Sequence, residues 1–452
     1  MTKICSDINQ SEKYMKMTNL NKVVNLIGLT LMVLVFSGLH IVEAQIPAAP
    51  QSEPIALTGG TIHTVTNGMI ESGTIVFENG VITAIGTDVT IPENAVVEDV
   101  SGKHIFPGFI DAYSQMGIYE IGAVNLTVDV NEQGAVNPNV KVESAFNPES
   151  RHIGVARSAG IVVSVTTPGG GLISGQSAAM LMDGWSWDAM TLKSGVGMVV
   201  NWPNAGGNNY ESNIRTLRDV FADARAYHKA RKAVEAGQAS RHDIDTRWEA
   251  MIPVFDGEIP LVVSANEVRQ IQDAITWAEE EGLRMILLGG RDADLVANHL
   301  REKDIPVILT SVIGSPNRAW QAYDESYSLP ARLHEAGITF AIAGIANPAN
   351  ANRLPLEAGA AAAFGLPVHE AMRALTINPA KILGLDDRLG SLEVGKDASL
   401  LITDGLPIEY ATQVEQVYIR GAKSDMMDMH RQFYYKYKEK GDQAKLSNRW
   451  RI

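Results

Sequence analysis

The stretch HIFPGFIDAYSQMGIYE, residues 104–120, decides the fold of this chain. It holds two short apolar runs, HIFP and FIDA, which Pro107-Gly108 separates. Short apolar runs that Pro and Gly bound are typical of strands. Tyr113, Ser114 and Gln115 follow the second run. The stretch therefore predicts that a small β region ends here and that the first strand of a larger unit begins.

Both ends of the folded region have the sequence pattern of short strands. The runs IALTGGTIHTV and GTIVFENGVITAIG precede the opening stretch, and ASLLITDG and VEQVYIRGAK occur near the C-terminus. Asn79-Gly80, between two β-branched runs, is a strong hairpin signal. We expect residues 55–106 and 385–425 to form one composite β-sandwich.

The middle of the chain alternates short apolar runs with helical patterns, which favours parallel β/α units and the α/β class. Val268, Ile271, Ile275 and Ala278 recur at helical spacing, with Gly282 just beyond. Eight runs are strand candidates: 108–112, 161–166, 177–182, 198–202, 261–264, 285–289, 306–310 and 339–343. They predict a TIM-like (β/α)8 barrel over residues 107–384, with a helical insertion at 203–257 and a site at the C-terminal strand ends.

The charge balance bears on the class of partner. The chain has 52 acidic and 38 basic residues, a formal net charge of −14. Nucleic-acid binding needs a basic footprint, so we expect no nucleic-acid partner. Residues 426–452 form a basic and aromatic tail, which is interpreted either as a solvated helix or as a segment that packs across the barrel or against a partner subunit.

The N-terminus has the layout of a secretory signal peptide. Residues 23–42 contain no Asp, Glu, Lys or Arg. Lys13, Lys16 and Lys22 precede them, and Val42-Glu43-Ala44 offers a small-x-small cleavage pattern. We expect a signal peptide over 1–44, a linker over 45–54, a periplasmic or secreted protein, and no membrane contact after cleavage. An uncleaved anchor is the alternative. Cys5 is the single cysteine, so the mature chain forms no disulfide.

Three pieces together resemble the amidohydrolase superfamily, especially its imidazolonepropionase-like members. They are GKHIFPGFIDA, the barrel-like middle, and ALTINPAKILGLDDRLGSLEVGKDASLLITDGLP at residues 374–407. The resemblance implies hydrolysis of non-peptide, cyclic amide-like C–N bonds by a divalent metal, usually zinc, that activates water.

The resemblance also implies where the metal ligands stand: a His-x-His at the first barrel strand, one His at each of two middle strands, and an Asp at the last. Here the first pair reads Tyr113 and Gln115, and the middle strands offer Ser264 and Gly289-Gly290. The last strand, TFAIAGIANPAN, has no carboxylate, and none of the ten histidines has the spacing of a metal pair. We therefore expect no cofactor and impaired or absent hydrolysis, with Asp111, Tyr113, Gln115 and Ser264 lining the site.

Two further stretches are candidates for substrate binding. Gly169-Gly170-Gly171 follows the second barrel strand, where it either cradles a ligand with backbone N–H groups or forms a tight turn. Asn147 and Arg151 precede a helix, where they either bind a ligand or cap and pack the helix.

Two functional hypotheses follow from these residues. In the first, the chain is a non-catalytic binding subunit that takes a small-molecule or peptide-like ligand and forms a homo- or hetero-dimer with an amidohydrolase relative. In the second, it is an active hydrolase with a rebuilt site around Asp111, Tyr113, Gln115, Asn147 and Glu149. Stoichiometric bound metal would favour the second hypothesis.

The cleavage site gives a direct prediction. Mass spectrometry of the secreted protein should find Gln45 as its first residue, and Ala44→Arg should block processing because the peptidase needs a small residue there. Met17 is a candidate start of translation, so an N-terminus at Met1 or at Met17 in the secreted protein would contradict a cleaved signal.

Overall fold

The computed structural model describes residues 46–449, so the predicted signal peptide lies outside the described residues. The described strands form two eight-stranded sheets, which we call the end sheet and the barrel sheet. No helix in the described part of the chain combines the length and apolar character that a bilayer crossing requires.

The end sheet draws on both ends of the fold, as the composite β region predicts. Its strands are β1 (Ile55–His63), β2 (Met69–Glu78), β3 (Val81–Gly86), β4 (Val96–Asp99), β5 (His104–Pro107), β14 (Leu400–Thr403), β15 (Val414–Ile419) and β16 (Ala422–Lys423). Their order is β16-β15-β14-β5-β1-β2-β3, with β4 beside β1, and they form one mixed sheet. Asn79 and Gly80 make the tight turn between β2 and β3 with positive φ angles, as their sequence predicts.

The barrel sheet contains the eight predicted strands. They are β6 (Phe109–Ser114), β7 (Ile161–Thr166), β8 (Ile173–Leu181), β9 (Thr191–Asn201), β10 (Leu261–Ala265), β11 (Met285–Gly289), β12 (Val307–Leu309) and β13 (Phe340–Ile342). Each pairs with its neighbours in chain order. The sheet curls until its two edges approach, so the predicted α/β barrel fold is confirmed as a nearly closed barrel.

One strand departs from the prediction of eight parallel strands. β8, predicted at 177–182, runs antiparallel to both β7 and β9. The cause is the connection, because only residues 167–172 join β7 to β8. A parallel neighbour needs a crossover of a dozen or more residues, whereas a short loop returns the chain antiparallel.

Helices lie between and after the barrel strands. They are α1 (Arg151–Ser158), α2 (Trp187–Met190), α3 (Tyr210–Glu235), α4 (Thr246–Glu249), α5 (Ile252–Phe255), α6 (Val268–Glu281), α7 (Ala297–Glu302), α8 (Glu325–Glu335), α9 (Leu354–Ala363), α10 (Val368–Leu375), α11 (Ile377–Leu383) and α12 (Met429–Arg449). The residues between β9 and β10 hold α3, α4 and α5.

Helix α6 shows how local sequence fixes an element. Its buried face includes Ile271, Ile275 and Ala278, as the helical spacing predicts. Gly282 ends the helix in the left-handed conformation, with φ of 67°, which glycine adopts at little cost. Such a face contributes about 1.5–3 kcal/mol for each large apolar side chain that it buries.

The barrel closes between β6 and β13. The Gln115 N–H donates to the Ala346 carbonyl across 2.8 Å. Below it lies the carboxyl of Asp111, which is 1 % exposed. Its Oδ1 accepts from the N–H groups of Tyr113 and Gly344, each at 3.4 Å, so it touches both edges of the seam. Burial raises the pKa of Asp111 to about 7, against the weaker opposing effect of these donors.

The raised pKa of Asp111 predicts a pH-dependent stability. A carboxyl whose pKa is higher in the folded state stabilises most below its unfolded pKa, near 4, and this contribution is lost as pH rises through 7. Asp111→Asn keeps the shape but cannot ionise. The melting temperature of the wild type should therefore fall by a few degrees relative to Asp111→Asn between pH 4.5 and 8. A constant difference across that range would show that Asp111 does not titrate there.

Candidate functional site

The candidate site lies at the barrel mouth, where the C-terminal ends of the parallel strands open. Of the predicted site-lining residues, Asp111, Tyr113 and Gln115 follow one another at every second position of β6 and its end. The pairing of β6 with β7 is irregular between Asp111 and Ser114, so strict alternation of side chains does not hold over these three residues. Asp111 lies deepest, Tyr113 is half-buried, and Gln115 is just beyond the strand.

Tyr113 is held as a neutral phenol. Burial raises its pKa above the ordinary value near 10, and the negative charge of Asp111 raises it further. A phenol with a raised pKa donates a hydrogen bond at neutral pH.

The triple glycine is explained by close backbone approach. Gly170 and Gly171 have φ angles of 78° and 63°. A Cβ atom on Gly170 would lie 2.7 Å from Asn131 Oδ1, and one on Gly171 would lie 2.8 Å from the Ala135 carbonyl oxygen. The Gly169 N–H donates to the Val130 carbonyl. The tight-turn interpretation therefore accounts for these glycines, because residues 130–135 pack directly on them.

The glycine loop nevertheless lines the mouth. The Gln115 side-chain nitrogen lies 3.9 Å from where a Cβ on Gly169 would be. Asn201, at the end of β9, donates to the carbonyls of Gly170 and Gly171, each at 3.1 Å. Gln115, the loop and Asn201 thus form one continuous polar wall.

Asn147 and Arg151 lie apart from that wall, on the segment that leads into α1. The Asn147 side chain donates to Glu120 at 3.3 Å and accepts from the Glu149 N–H at 3.0 Å. Ser150 caps α1 by accepting from the His152 N–H. Arg151 is the exposed first residue of that helix. The structure therefore places both residues in turn and helix-start positions.

Ser264 is half-buried in β10 and pairs with Asn201 on one side and Leu288 on the other. Asn266 lies two residues further, where its Oδ1 would be 2.7 Å from a Cβ on Gly289. Asn201 and Asn266 were missed from the sequence. A simple signal could have found both, since each is a polar residue at the C-terminal end of a parallel strand.

A cavity of about 230 Å³, the strand-end cavity, opens beside Asn266. The loops after β10, β11 and β12 surround it. Its polar lining includes Asn266, Arg291, Thr310, Ser311, Asn317 and Gln321. Buried Glu357 shapes one wall, because it accepts the N–H groups of Val312 and Ile313, both at 2.7 Å.

A cluster of charges ties the cavity loops together. Asp292, 3 % exposed, binds both guanidinium nitrogens of Arg318 at 2.8 and 2.7 Å and accepts the Val268 N–H at 3.2 Å. Arg291 lies 3.5 Å from Glu267. Two arginines and two carboxylates thus balance in charge, and the bidentate geometry fixes the loops after β11 and β12 against each other.

The residues at the mouth do not fit a zinc site. Among residues 46–449, no three His, Cys, Asp or Glu side chains come together to hold a metal ion. Zinc prefers thiolate, imidazole and carboxylate ligands, whereas the strand ends here present amides, hydroxyls and glycine. Whether the protein carries metal stays a prediction for analysis of the purified chain.

Two histidines that lie far apart in the sequence do meet, but in the end sheet. His63 Nε2 and His104 Nδ1 lie 3.0 Å apart, and the His63 ring stacks on Phe106. Burial and the neighbouring imidazole lower the pKa of His63 to about 4. His63 is therefore uncharged at neutral pH and packs as part of the end sheet.

Comparisons with known proteins find similarity to amidohydrolases. A family model described as "Amidohydrolase family" matches residues 267–433. Amidohydrolase tasK of Hapsidospora irregularis is 24% identical over 390 residues, which are 77% of this chain and 39% of that protein. This chain thus spans well under half of that relative. Imidazolonepropionase of Geobacillus kaustophilus is 25% identical over 382 residues, 74% of this chain and 84% of that protein. The solved structure of an amidohydrolase from Thermotoga maritima superposes with a TM-score of 0.76 at 27% identity, covering 82% of this chain and 99% of that one.

The Asp292–Arg318 pair gives a stability prediction. Arg318→Ala would remove the bidentate partner of a buried carboxylate and leave Arg291 Nε, at 3.9 Å, as its nearest cation, which should cost about 3 kcal/mol of unfolding free energy. Arg218→Ala is the matched control, because its pair with Glu280 is about half exposed and should contribute under about 1 kcal/mol. Urea unfolding would measure both variants. Equal losses would contradict a structural role for the buried pair.

Proposed function

This chain belongs to the amidohydrolase superfamily, and from that premise we propose that its barrel binds a small polar ligand at the strand ends without a metal ion. The observation that carries the proposal is the set of side chains at the mouth. Gln115, Asn201 and Asn266 lie at or just beyond strand ends. Gln115 occupies a position where the resemblance implies a metal ligand. Amides bind polar ligands by hydrogen bonds but are weak ligands for zinc.

The loss of metal ligands would also remove the nucleophile. A metal-bound water reaches a pKa near neutrality, whereas free water does not. A catalytic zinc needs about three protein ligands together with an open position. The described residues offer no such set. Metal-dependent hydrolysis is therefore absent or strongly impaired under this proposal.

The strand-end cavity suggests the chemistry of the ligand. At about 230 Å³ it suits a molecule of amino-acid to dipeptide size. Asn266, Asn317, Gln321 and Arg291 supply N–H donors, and Thr310 and Ser311 supply hydroxyls. A peptide-like ligand that carries carbonyl or carboxylate oxygens would match this lining.

A second candidate function has its own support. Asp111, with a pKa of about 7, lies beside neutral Tyr113. A carboxyl with a pKa near the working pH is suited to proton transfer. Under this candidate, the chain keeps C–N bond hydrolysis with a rebuilt site at the β6 end. We propose for either function a periplasmic or secreted protein and a dimer with itself or with an amidohydrolase relative.

The first test is metal content. Protein purified without chelators should contain well under one zinc, manganese or iron atom per chain by elemental analysis. EDTA should leave its melting temperature unchanged. Metal near one atom per chain would overturn the binding proposal. Hydrolysis that survives EDTA and disappears in Asp111→Asn would support the second candidate instead.

The second test is binding. Glycylglycine and N-acetylglycine, at millimolar concentration, should raise the melting temperature of the wild type. Asn266→Ala should weaken this binding about tenfold, because one hydrogen bond in a cavity contributes roughly 1–1.5 kcal/mol. Asn208→Ala is the control, since Asn208 is exposed in the loop after β9. Equal binding by the two variants would place the ligand elsewhere.

A further inference from the structure

Helix α12 is unusual in being exposed on every side. Each residue from Gln432 to Lys440 is exposed, although four of them are aromatic. Phe433, Tyr434, Tyr435 and Tyr437 are 45 to 60% exposed. A helix that presents aromatic rings to water all round its axis lacks the apolar burial that normally stabilises helices in proteins. The exposed rings of this helix are therefore available to a partner surface.

The charge of this helix is opposite to that of the rest of the chain. Between residues 431 and 440 there are four basic side chains, Arg431, Lys436, Lys438 and Lys440, and one acidic side chain, Glu439. The whole chain has a net charge of −14. An anionic partner surface would therefore meet a local positive charge at α12.

The start of the described chain and the segment that leads into α12 meet at one place, the Asp183 carboxylate. Asp183 follows β8, whose antiparallel direction puts this residue at the end of the barrel opposite the mouth. The Asp183 carboxylate accepts the Ala48 N–H at 3.2 Å and the Ser424 hydroxyl at 3.4 Å, and pairs with Arg157 at 3.3 Å. Arg157 also donates to the Asp425 carbonyl. Residues 48 and 424 are therefore fixed to one carboxylate.

Two tryptophans border the same corner. Trp185 is 70% exposed and Trp187 is 42% exposed, and both follow Asp183 closely in the chain. Trp185 lines a groove of about 430 Å³ together with Pro47, Ala48 and Arg420. We call α12 residues 431–440 with Trp185 and Trp187 the aromatic corner.

The sequence before the corner points to the nature of the partner. Forty-five residues precede Ile46, and residues 23–42 among them contain no Asp, Glu, Lys or Arg over a length that suits a bilayer. The described chain that follows it begins beside exposed Trp185, and α12 exposes Tyr and Lys side chains. That combination is typical of proteins at a membrane–water interface.

We propose that the aromatic corner rests on a lipid bilayer with anionic headgroups. The rings of α12 and the two tryptophans enter the headgroup layer, and Arg431 and the three lysines pair with lipid phosphates. The contact holds whether the N-terminal segment is kept or removed, because the corner itself carries it. It differs from the expectation of no membrane contact after cleavage. The barrel mouth, at the opposite end, then faces water.

Vesicle flotation tests this surface. The chain from Gln45 onward contains the whole compact unit that begins at Ile46, and it lacks the apolar segment that would otherwise dominate binding. It should float with vesicles of phosphatidylcholine and phosphatidylglycerol at roughly 7:3, and salt should weaken the binding. Vesicles of phosphatidylcholine alone should bind at least about tenfold less.

Two sets of variants separate the contributions. Lys436→Glu with Lys438→Glu and Lys440→Glu should reduce binding more than tenfold, since the three charges that attract anionic headgroups become repulsive. Phe433→Ser with Tyr434→Ser and Tyr437→Ser should do the same through lost apolar burial. Tyr323→Ser, at an exposed tyrosine near the mouth, is the control and should bind like the wild type.

Two outcomes would overturn the proposal. The first is a loss of selectivity in vesicle binding. It would be seen as equal binding of the wild type to charged and neutral vesicles, or as undiminished binding by both sets of variants. The second is a dimer in analytical ultracentrifugation that the α12 variants dissociate while vesicle binding stays the same. That result would assign the aromatic corner to a second copy of this chain. Unchanged melting temperatures would show that each variant folds.

Discussion

The seam between β6 and β13 is the constraint on which the rest of the structure depends. An open sheet of eight strands would leave two unpaired edges and would not bring its first and last loops together. The Gln115–Ala346 hydrogen bond and the buried Asp111 carboxyl, which touches both edges, hold these edges in contact. The mouth exists because of this closure, since its polar wall begins at Gln115 and continues through loops on both sides of the seam. A neutral Asp111 closes the barrel at a lower desolvation cost than an ionised one.

The direction of β8 organises the two ends of the molecule. Its start carries the glycine loop at the mouth, and its end leads to Asp183 at the opposite corner. If β8 were parallel to its neighbours, its start would lie at the end opposite the mouth and its end would lie at the mouth. The closely packed turn that brings Asn201 to the carbonyls of Gly170 and Gly171 therefore follows from the same short connection that makes β8 antiparallel.

Much of the fold could be predicted because it depends on local chemistry. Asn79-Gly80 specifies a turn, Gly282 ends a helix, and apolar runs mark strands whether or not their neighbours are known. The direction of β8 could not be deduced from its composition, which is compatible with either pairing. The site was harder still, because it is assembled from side chains distant in sequence. Asp292 and Arg318 belong to different loops, and His63 meets His104 only through the pairing of β1 with β5.

The buried strand β8 also has a mechanical consequence. Its nine residues, all buried, span about 30 Å of nearly inextensible backbone. This rigid strand connects the glycine loop at one end to the Asp183 carboxylate, which binds residues 48 and 424, at the other. A force applied at the corner is therefore transmitted along this strand of the barrel sheet to the glycine loop. A rigid strand, rather than a flexible linker, therefore connects the glycine loop to the corner at Asp183.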